Sequence, residues 1–219
     1  MRSKIILALG LVAGPLLLRN LYVIMFGLPD EMDQGPVYRI FYYHLPAAFT
    51  AFACYFTAMV ASILYLVEGD FWYDSLAVAI TEVSLAFALI DLVTGSIRAR
   101  LIWGNWWIWD ARLTTMFICF LLYLSYLVLR TAIDEPSRRA LLSAAFSIFA
   151  FADVPIVWYA IDWFRTQRPG PTLRGEAHPT VYWNWAALML VASVLVLIRF
   201  RQEEMRREID GIRRLAHAV

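Results

Sequence analysis

The sequence predicts an all-α integral membrane protein, a bundle of about six transmembrane helices that forms a single domain over residues 1–219. Of the 219 residues, 61% are hydrophobic and only 17% are charged, whereas soluble domains are about half apolar and about a quarter charged. Several apolar stretches reach the roughly 20 residues that a helix needs to cross the hydrocarbon core of a bilayer. The connections between them hold most of the charged residues, glycines and prolines. Little of the chain is left for a separate soluble enzyme domain.

Six apolar segments follow one another, at about 5–26, 45–67, 76–97, 113–130, 140–163 and 181–200. The first continues past Pro15 and no clear A-x-A cleavage site closes it, which favours an uncleaved span over a secretory signal. Pro15 and Pro155 lie inside spans and predict kinks there. The charged tail at 201–219 is predicted to extend into the cytoplasm as a helix, because Glu203 and Arg207 have the i,i+4 spacing of a helical ion pair.

The distribution of Lys and Arg predicts the orientation of the spans. With the N-terminus inside, the eleven basic residues on the inner side are Arg2, Lys4, Arg130, Arg138, Arg139, Arg199, Arg201, Arg206, Arg207, Arg213 and Arg214. The seven on the outer side are Arg39, Arg98, Arg100, Arg112, Arg165, Arg168 and Arg174. Because cytoplasmic loops carry an excess of basic residues, both termini are predicted to be cytoplasmic. Three outer loops then remain, at about 27–44, 98–112 and 164–180.

The outer loop at 98–112 carries the most distinctive pattern in the chain. Four of the nine tryptophans fall within seven residues, as Trp103, Trp106, Trp107 and Trp109. In a helix, three of them and Asp110 would occupy positions i, i+3, i+4 and i+7 and form one aromatic face at the water boundary. An interfacial aromatic belt is the alternative, although belts distribute tryptophans over many helix ends. A planar, anionic, aromatic ligand would also use the neighbouring basic residues Arg98, Arg100 and Arg112.

Two histidines are predicted on the same side of the membrane. His44 precedes Pro46 at the start of the second span, and His178 precedes Pro179 at the start of the sixth; proline in the first turn is a helix-start signal. Near a helix N-terminus the dipole disfavours a protonated imidazole, and a neutral imidazole can bind metal. Haem suits this combination, because its face stacks on tryptophan, its iron takes axial histidines and its propionates suit arginine forks. His217, in the inner tail, is predicted to be solvated.

Several other classes of protein are disfavoured. The sequence has no basic run interleaved with aromatic residues, as a nucleic-acid groove requires. It has no nucleophile–base pair, phosphate-binding loop or two-carboxylate site, which disfavours a turnover enzyme. Cys54 and Cys119 fall in apolar stretches and are predicted to be buried small hydrophobic residues. Without a C-x-x-C-H motif, the chain is not expected to attach haem covalently.

Charged residues inside the predicted spans leave alternatives open. These residues are Arg19, Glu82, Asp91 and Asp153, and intramembrane charges are usually paired or functional because they are costly. Glu82 and Asp91 are nine residues apart, which is about 180° around a helix. We expect structural pairing, for example of Arg19 with one of the two. An ion- or proton-coupled transporter that uses the carboxylates is one alternative, and a b-type electron-transfer protein is another.

The stretch at 103–115, WGNWWIWDARLTT, closely resembles the tryptophan-rich WWD signature of the haem-handling proteins of cytochrome c biogenesis. The segment QGPVYRIFYYHLP at 34–46 is similar to the stretch ahead of that family's first haem-ligating histidine. LVTGS at 92–96, DVPIV at 153–157 and the pair Asp162-Trp163 also match. The resemblance covers about residues 34–166, and the short six-span form resembles the haem exporter protein C (CcmC) family of the cytochrome c maturation system.

The resemblance implies a haem-transfer protein of the bacterial inner membrane. It would hold haem b, as its transferred substrate, on the periplasmic face and present it to the haem chaperone CcmE, with CcmA, CcmB and CcmD as partners. His44 would be an axial ligand, and the loop at 98–112 would present the haem. The chain departs from the family at the second histidine, where it has Arg168. We expect His178 to be the second ligand and Arg168 to pair with a propionate; the alternative is a five-coordinate haem bound by His44 alone.

Overall fold

The structure, a computed structural model, describes residues 2–30, 32, 34–163 and 179–217. The described residues form seven α-helices: α1 (Arg2–Tyr22), α2 (Phe41–Glu68), α3 (Phe71–Trp103), α4 (Ala111–Thr131), α5 (Pro136–Phe151), α6 (Asp153–Trp163) and α7 (Thr180–His217). A π-helical turn (Val23–Gly27) follows α1, and a 3-10 helix (Pro36–Ile40) leads into α2. Six helical segments are long and apolar enough to cross a membrane, with α5 and most of α6 together forming the fifth. The predicted six-span, all-α membrane fold is confirmed.

The break between α5 and α6 lies where a proline removes a helical hydrogen bond. Pro155 has no N–H to donate to the carbonyl of Phe151, and its ring would clash with that carbonyl in a continuous helix. The backbone tightens instead, and the amide of Ala152 donates to the carbonyl of Phe149 at 3.1 Å. The kink predicted at Pro155 is therefore confirmed as a break. By contrast, α1 continues through Pro15 as one helix.

A second proline, Pro46, leaves a backbone carbonyl of α2 without its helical donor, and a hydrogen bond from α7 takes that donor's place. Pro46 cannot donate to the carbonyl of Tyr42, so that acceptor is left free within the helix. The fully buried Asn184 of α7 donates its Nδ2 amide to this carbonyl at 2.7 Å. Because the freed acceptor is satisfied by a neighbouring helix, the turn that carries His44 is held in place.

Aromatic stacking and small residues form the centre of the bundle. The fully buried rings of Tyr55 on α2 and Tyr123 on α4 stack with their centroids 3.7 Å apart. Both cysteines are free and buried, as predicted: Cys54 and Cys119 belong to the same apolar cluster as these rings. The helices α2, α3, α4 and α5 therefore share one core.

Two ion pairs join the helices within the spans. Asp74 on α3 accepts two hydrogen bonds from Arg130 on α4, at 2.6 and 2.9 Å, and both side chains are buried. Glu82 on α3 is bound by the guanidinium of Arg199 on α7. Each carboxylate is thus neutralised by a paired arginine, which is the arrangement that makes intramembrane charges tolerable.

The partner predicted for Arg19 is wrong. Its guanidinium donates to Asn20 Oδ1 at 3.2 Å and lies 5.9 Å from the ring centroid of Trp183. Arg19 lies in the last turn of α1, beside the first turns of α7, whereas Glu82 reaches further along α7 to Arg199. Arg19 and Glu82 therefore lie at different depths in the bundle, and the ring over which Arg19 lies belongs to α7.

Candidate functional site

His44 lies in the first turn of α2 and packs against α3 with its side chain 20% exposed. Three oxygen atoms of α3 surround its Nδ1 atom: Asp91 Oδ1 at 2.9 Å, the Asp91 carbonyl at 3.1 Å and Thr94 Oγ1 at 3.2 Å. The imidazole is thus held at the end of the bundle that carries the connection between α3 and α4, which is the predicted outer end.

The surroundings of Nδ1 determine which ring nitrogen carries the proton. The backbone carbonyl of Asp91 can only accept a hydrogen bond, and the same is true of its side-chain carboxylate when the acid is ionised. The hydroxyl of Thr94 donates to the carbonyl of Ile90 at 2.6 Å, so its oxygen faces His44 as an acceptor. Nδ1 therefore carries the proton in the neutral ring, and Nε2 has the free lone pair. This tautomer is the one that binds a metal through Nε2.

A glycine provides the space in which the ring lies. A Cβ atom added at Gly95 would be 3.0 Å from His44 Cε1, 3.6 Å from Nδ1 and 3.9 Å from Nε2. At this position any larger side chain would displace the imidazole, so Gly95 permits the close approach of α2 and α3.

Sequence reasoning did not identify the three residues of α3, Asp91, Thr94 and Gly95, that surround the His44 ring. Asp91, Thr94 and Gly95 are spaced i, i+3 and i+4 on α3, so they lie on one helix face. This spacing was a usable signal, and the 92–96 stretch matched the family. His44, the residue that they contact, is 47 residues from Asp91 along the chain, and no local pattern connects the two.

The tryptophan-rich segment is not a helix. Helix α3 continues to Trp103 and ends at Gly104, whose φ of 77° is left-handed and typical of a helix C-terminus. Residues 104–110 are irregular, and α4 begins after Asp110. The predicted continuous helical face of Trp103, Trp106, Trp107 and Asp110 is therefore wrong. The non-helical connection is also shorter than the predicted 98–112, because Arg98 and Arg100 lie within α3.

The four tryptophans divide into a packed ring and more exposed ones. Trp107 packs against the core, with its centroid 5.6 Å from those of Trp109 and Phe117. Trp106 is 60% exposed and Trp109 is 73% exposed, while Trp103 is 42% exposed at the end of α3. An aromatic surface is therefore present at this end of the bundle, and Trp106 and Trp109 are its most exposed members.

Asp110 has a structural role that sequence reasoning did not assign to it. Its Oδ1 accepts a hydrogen bond from the amide of Leu113 at 2.8 Å, which makes it the N-cap of α4. N-cap aspartates satisfy the free amides of a first turn and contribute about 1 kcal/mol. Asp110 therefore fixes where the tryptophan-rich connection ends.

The three predicted arginines have different surroundings. Arg98 donates to Gln34 Oε1 at 2.9 Å and lies over the ring of Phe41, and so joins α3 to the segment before α2. Arg100 donates to the carbonyl of Gly104. Arg112 lies in the first turn of α4, directly after the N-cap Asp110 and Ala111. His178 and Arg168 lie outside the described residues.

These features define a multi-pass membrane protein with a histidine whose Nε2 bears the ring's lone pair and can bind a ligand at one end of the bundle. Residues 1–217 match the model of the family CcmC, described as Heme exporter protein C, and the chain belongs to this family.

The chain is similar to Heme exporter protein C of Bradyrhizobium diazoefficiens, with 31% identity over 210 residues that cover 94% of this chain and 76% of that protein. Heme exporter protein C of Paracoccus denitrificans is 30% identical over 196 residues, covering 85% and 81% of the two chains. The Escherichia coli K12 protein of the same name is 29% identical over 178 residues, covering 79% and 73%.

Proposed function

We propose that this protein binds haem b as a transferred substrate on the periplasmic face of the bacterial inner membrane and presents it to the haem chaperone CcmE. Membership of the Heme exporter protein C family supports the coarser role, haem handling in cytochrome c maturation by a membrane protein that is not a turnover enzyme. CcmA, CcmB and CcmD are its proposed partners.

The observation that carries this proposal is the orientation of His44. Its Nδ1–H faces acceptors on α3, which leaves the Nε2 lone pair for iron. Histidines that bind metal usually donate their other ring N–H to a carboxylate or a backbone carbonyl, because this fixes both tautomer and orientation. His44 has both kinds of acceptor within 3.1 Å.

The surrounding residues also fit haem. The exposed rings of Trp106 and Trp109 offer flat apolar surfaces beside which a macrocycle can stack, and each aromatic contact of this kind contributes on the order of 1 kcal/mol beyond its burial. Arg98, Arg100 and Arg112 are the proposed partners of the propionates, since guanidinium groups bind carboxylates with charge-assisted hydrogen bonds. Haem would supply the iron; these residues would bind, orient and expose it.

Membrane orientation and the second ligand are part of the same proposal. The excess of basic residues on the inner side supports cytoplasmic termini. On that basis, the periplasmic end is the one that carries His44 and the tryptophan-rich connection. We further propose that His178 is the second axial ligand and that Arg168 pairs with a propionate.

The alternative functions are less well supported. A proton or ion relay needs carboxylates that can exchange their charge, but Glu82, one of the acids that such a relay would use, is held by Arg199. A b-type electron-transfer protein usually places paired histidines deep in facing spans. Among the described residues the histidines are His44, in the first turn of α2, and His217, which is the last residue of α7.

The proposed function can be tested by adding haem to the detergent-purified protein and then mixing the complex with purified CcmE. We expect a Soret band that co-elutes with the protein, followed by movement of haem to CcmE. His217→Ala is the matched control, because it removes a histidine from the opposite end of the molecule, and it should bind haem as the wild type does. A protein that retains no haem in either form would refute the proposal.

The same titration tests the second ligand. We expect wild-type ferric haem to be six-coordinate and low-spin, and His178→Ala to convert it to a five-coordinate, high-spin form, because arginine stays protonated and cannot replace the imidazole. An unchanged low-spin spectrum in His178→Ala would exclude His178 as a ligand while leaving His44 in place.

A further inference from the structure

One carboxylate within the spans, that of Asp91, lies beside the proposed haem ligand His44. We propose that Asp91 is a positioning residue whose carboxylate accepts a hydrogen bond from Nδ1–H of His44 and so makes the imidazole a stronger electron donor toward the haem iron. This inference rests on the proposed function, because it assumes that Nε2 of His44 binds the iron.

Asp91 differs from the other acids of α3 in its partner. Asp74 and Glu82 are each bound by an arginine, Arg130 and Arg199 respectively, and so serve to join helices. The Oδ1 atom of Asp91 instead lies 2.9 Å from an imidazole nitrogen, and Asp91 is only 6% exposed. A buried carboxylate aimed at the ligand side chain, rather than at an arginine, is suited to act on that ligand.

The hydrogen-bond geometry leaves the Oδ1 atom of this carboxylate able to accept a hydrogen bond from His44. The Nδ1–H of His44 points toward the Asp91 carbonyl and the Thr94 hydroxyl, at 3.1 and 3.2 Å. Asp91 Oδ1 is buried and receives no hydrogen bond of good geometry from the described residues. Because an unsatisfied buried polar atom is costly, a small rotation of the ring or the carboxyl group that directs the N–H to Oδ1 would be favourable.

A hydrogen bond from a metal-bound imidazole to a carboxylate changes both the metal affinity and the reduction potential in a known direction. A carboxylate that accepts the distal N–H of a metal-bound imidazole raises the basicity of the ligand, and loss of such a partner typically lowers metal affinity about 10- to 100-fold. A more basic axial ligand stabilises Fe(III) relative to Fe(II), so it lowers the reduction potential of the haem.

The experiment measures the reduction potential and the ferric-haem affinity of the full-length protein in detergent. In Asp91→Asn, which preserves shape but removes the charge, we expect a higher reduction potential and about 10- to 100-fold weaker ferric-haem binding. Asp153→Asn is the matched control, since Asp153 is also a buried acid within a span but belongs to α6. It should leave both quantities unchanged.

A second variant tests the acceptor without changing a charge. Thr94→Val removes the hydroxyl that competes for the Nδ1 hydrogen bond, so we expect it to lower the potential. A higher potential in Thr94→Val, or a wild-type potential and affinity in Asp91→Asn, would overturn the role of Asp91. These results differ from failure of the proposed function, in which the wild-type protein would bind no haem at all.

Discussion

Replacing Gly95 with valine is expected to lower haem affinity by about 100-fold, the upper end of the range for loss of a ligand's supporting contacts. A Cβ atom at this position would already be 3.0 Å from His44 Cε1, and the two γ-carbons of valine require still more space. The imidazole must therefore move away from α3 and lose the acceptors at Nδ1 that orient Nε2. The measurement is a haem titration of the purified variant, followed at the Soret band.

An exposed glycine of α1 provides the control for this substitution. At Gly10, which is exposed, an added Cβ would meet nothing within 4 Å. Gly10→Val therefore makes the same change in composition and helix propensity without touching the site, and we expect wild-type haem affinity. If Gly95→Val and Gly10→Val bind haem equally well, the close approach of His44 to α3 is not needed for binding.

The largest expected effect on stability comes from Arg130. Its guanidinium makes two hydrogen bonds to Asp74, at 2.6 and 2.9 Å, and both side chains are buried between α3 and α4. In Arg130→Met the Asp74 carboxylate would remain buried without its partner, and breaking a buried pair in this way costs about 3–5 kcal/mol. We expect a correspondingly lower free energy of unfolding, measured by denaturant titration in mixed micelles.

Two further variants distinguish the loss of the pair from the loss of a basic residue. Arg138→Met removes an exposed arginine, and surface substitutions usually change stability by less than about 0.5 kcal/mol. The double variant Asp74→Leu/Arg130→Met removes both charges, so it should recover most of the stability. A double variant that is no more stable than Arg130→Met would contradict the assignment of the effect to the unpaired carboxylate.

The sequence was sufficient for the fold because membrane spans depend on length and apolar composition, which are local properties. It also placed His44 correctly at a helix start, since Pro46 marks that end of α2. It was misleading at the tryptophan-rich connection. There the spacing of the rings suggested one helical face, but Gly104 ends α3 and Asp110 begins α4.

Contacts between distant parts of the chain could not be predicted. Asp91 was recognisable as a charge within a span, yet its neighbour His44 comes from another helix, and only packing at Gly95 brings the two together. Arg19 was paired incorrectly for the same reason. A pattern within one helix gives the relative angles of its own side chains, whereas the partner of each face depends on how the helices pack.

The central claim, that Nε2 of His44 is the ligand that holds the haem iron, is tested most directly by chemical rescue. His44→Gly removes the imidazole and leaves space beside Gly95 for a free one. We predict that this variant retains no haem on gel filtration, and that added imidazole restores a co-eluting Soret band. His217→Gly should bind haem with or without imidazole. Retention of haem by His44→Gly in the absence of imidazole, with the wild-type spectrum, would contradict the claim.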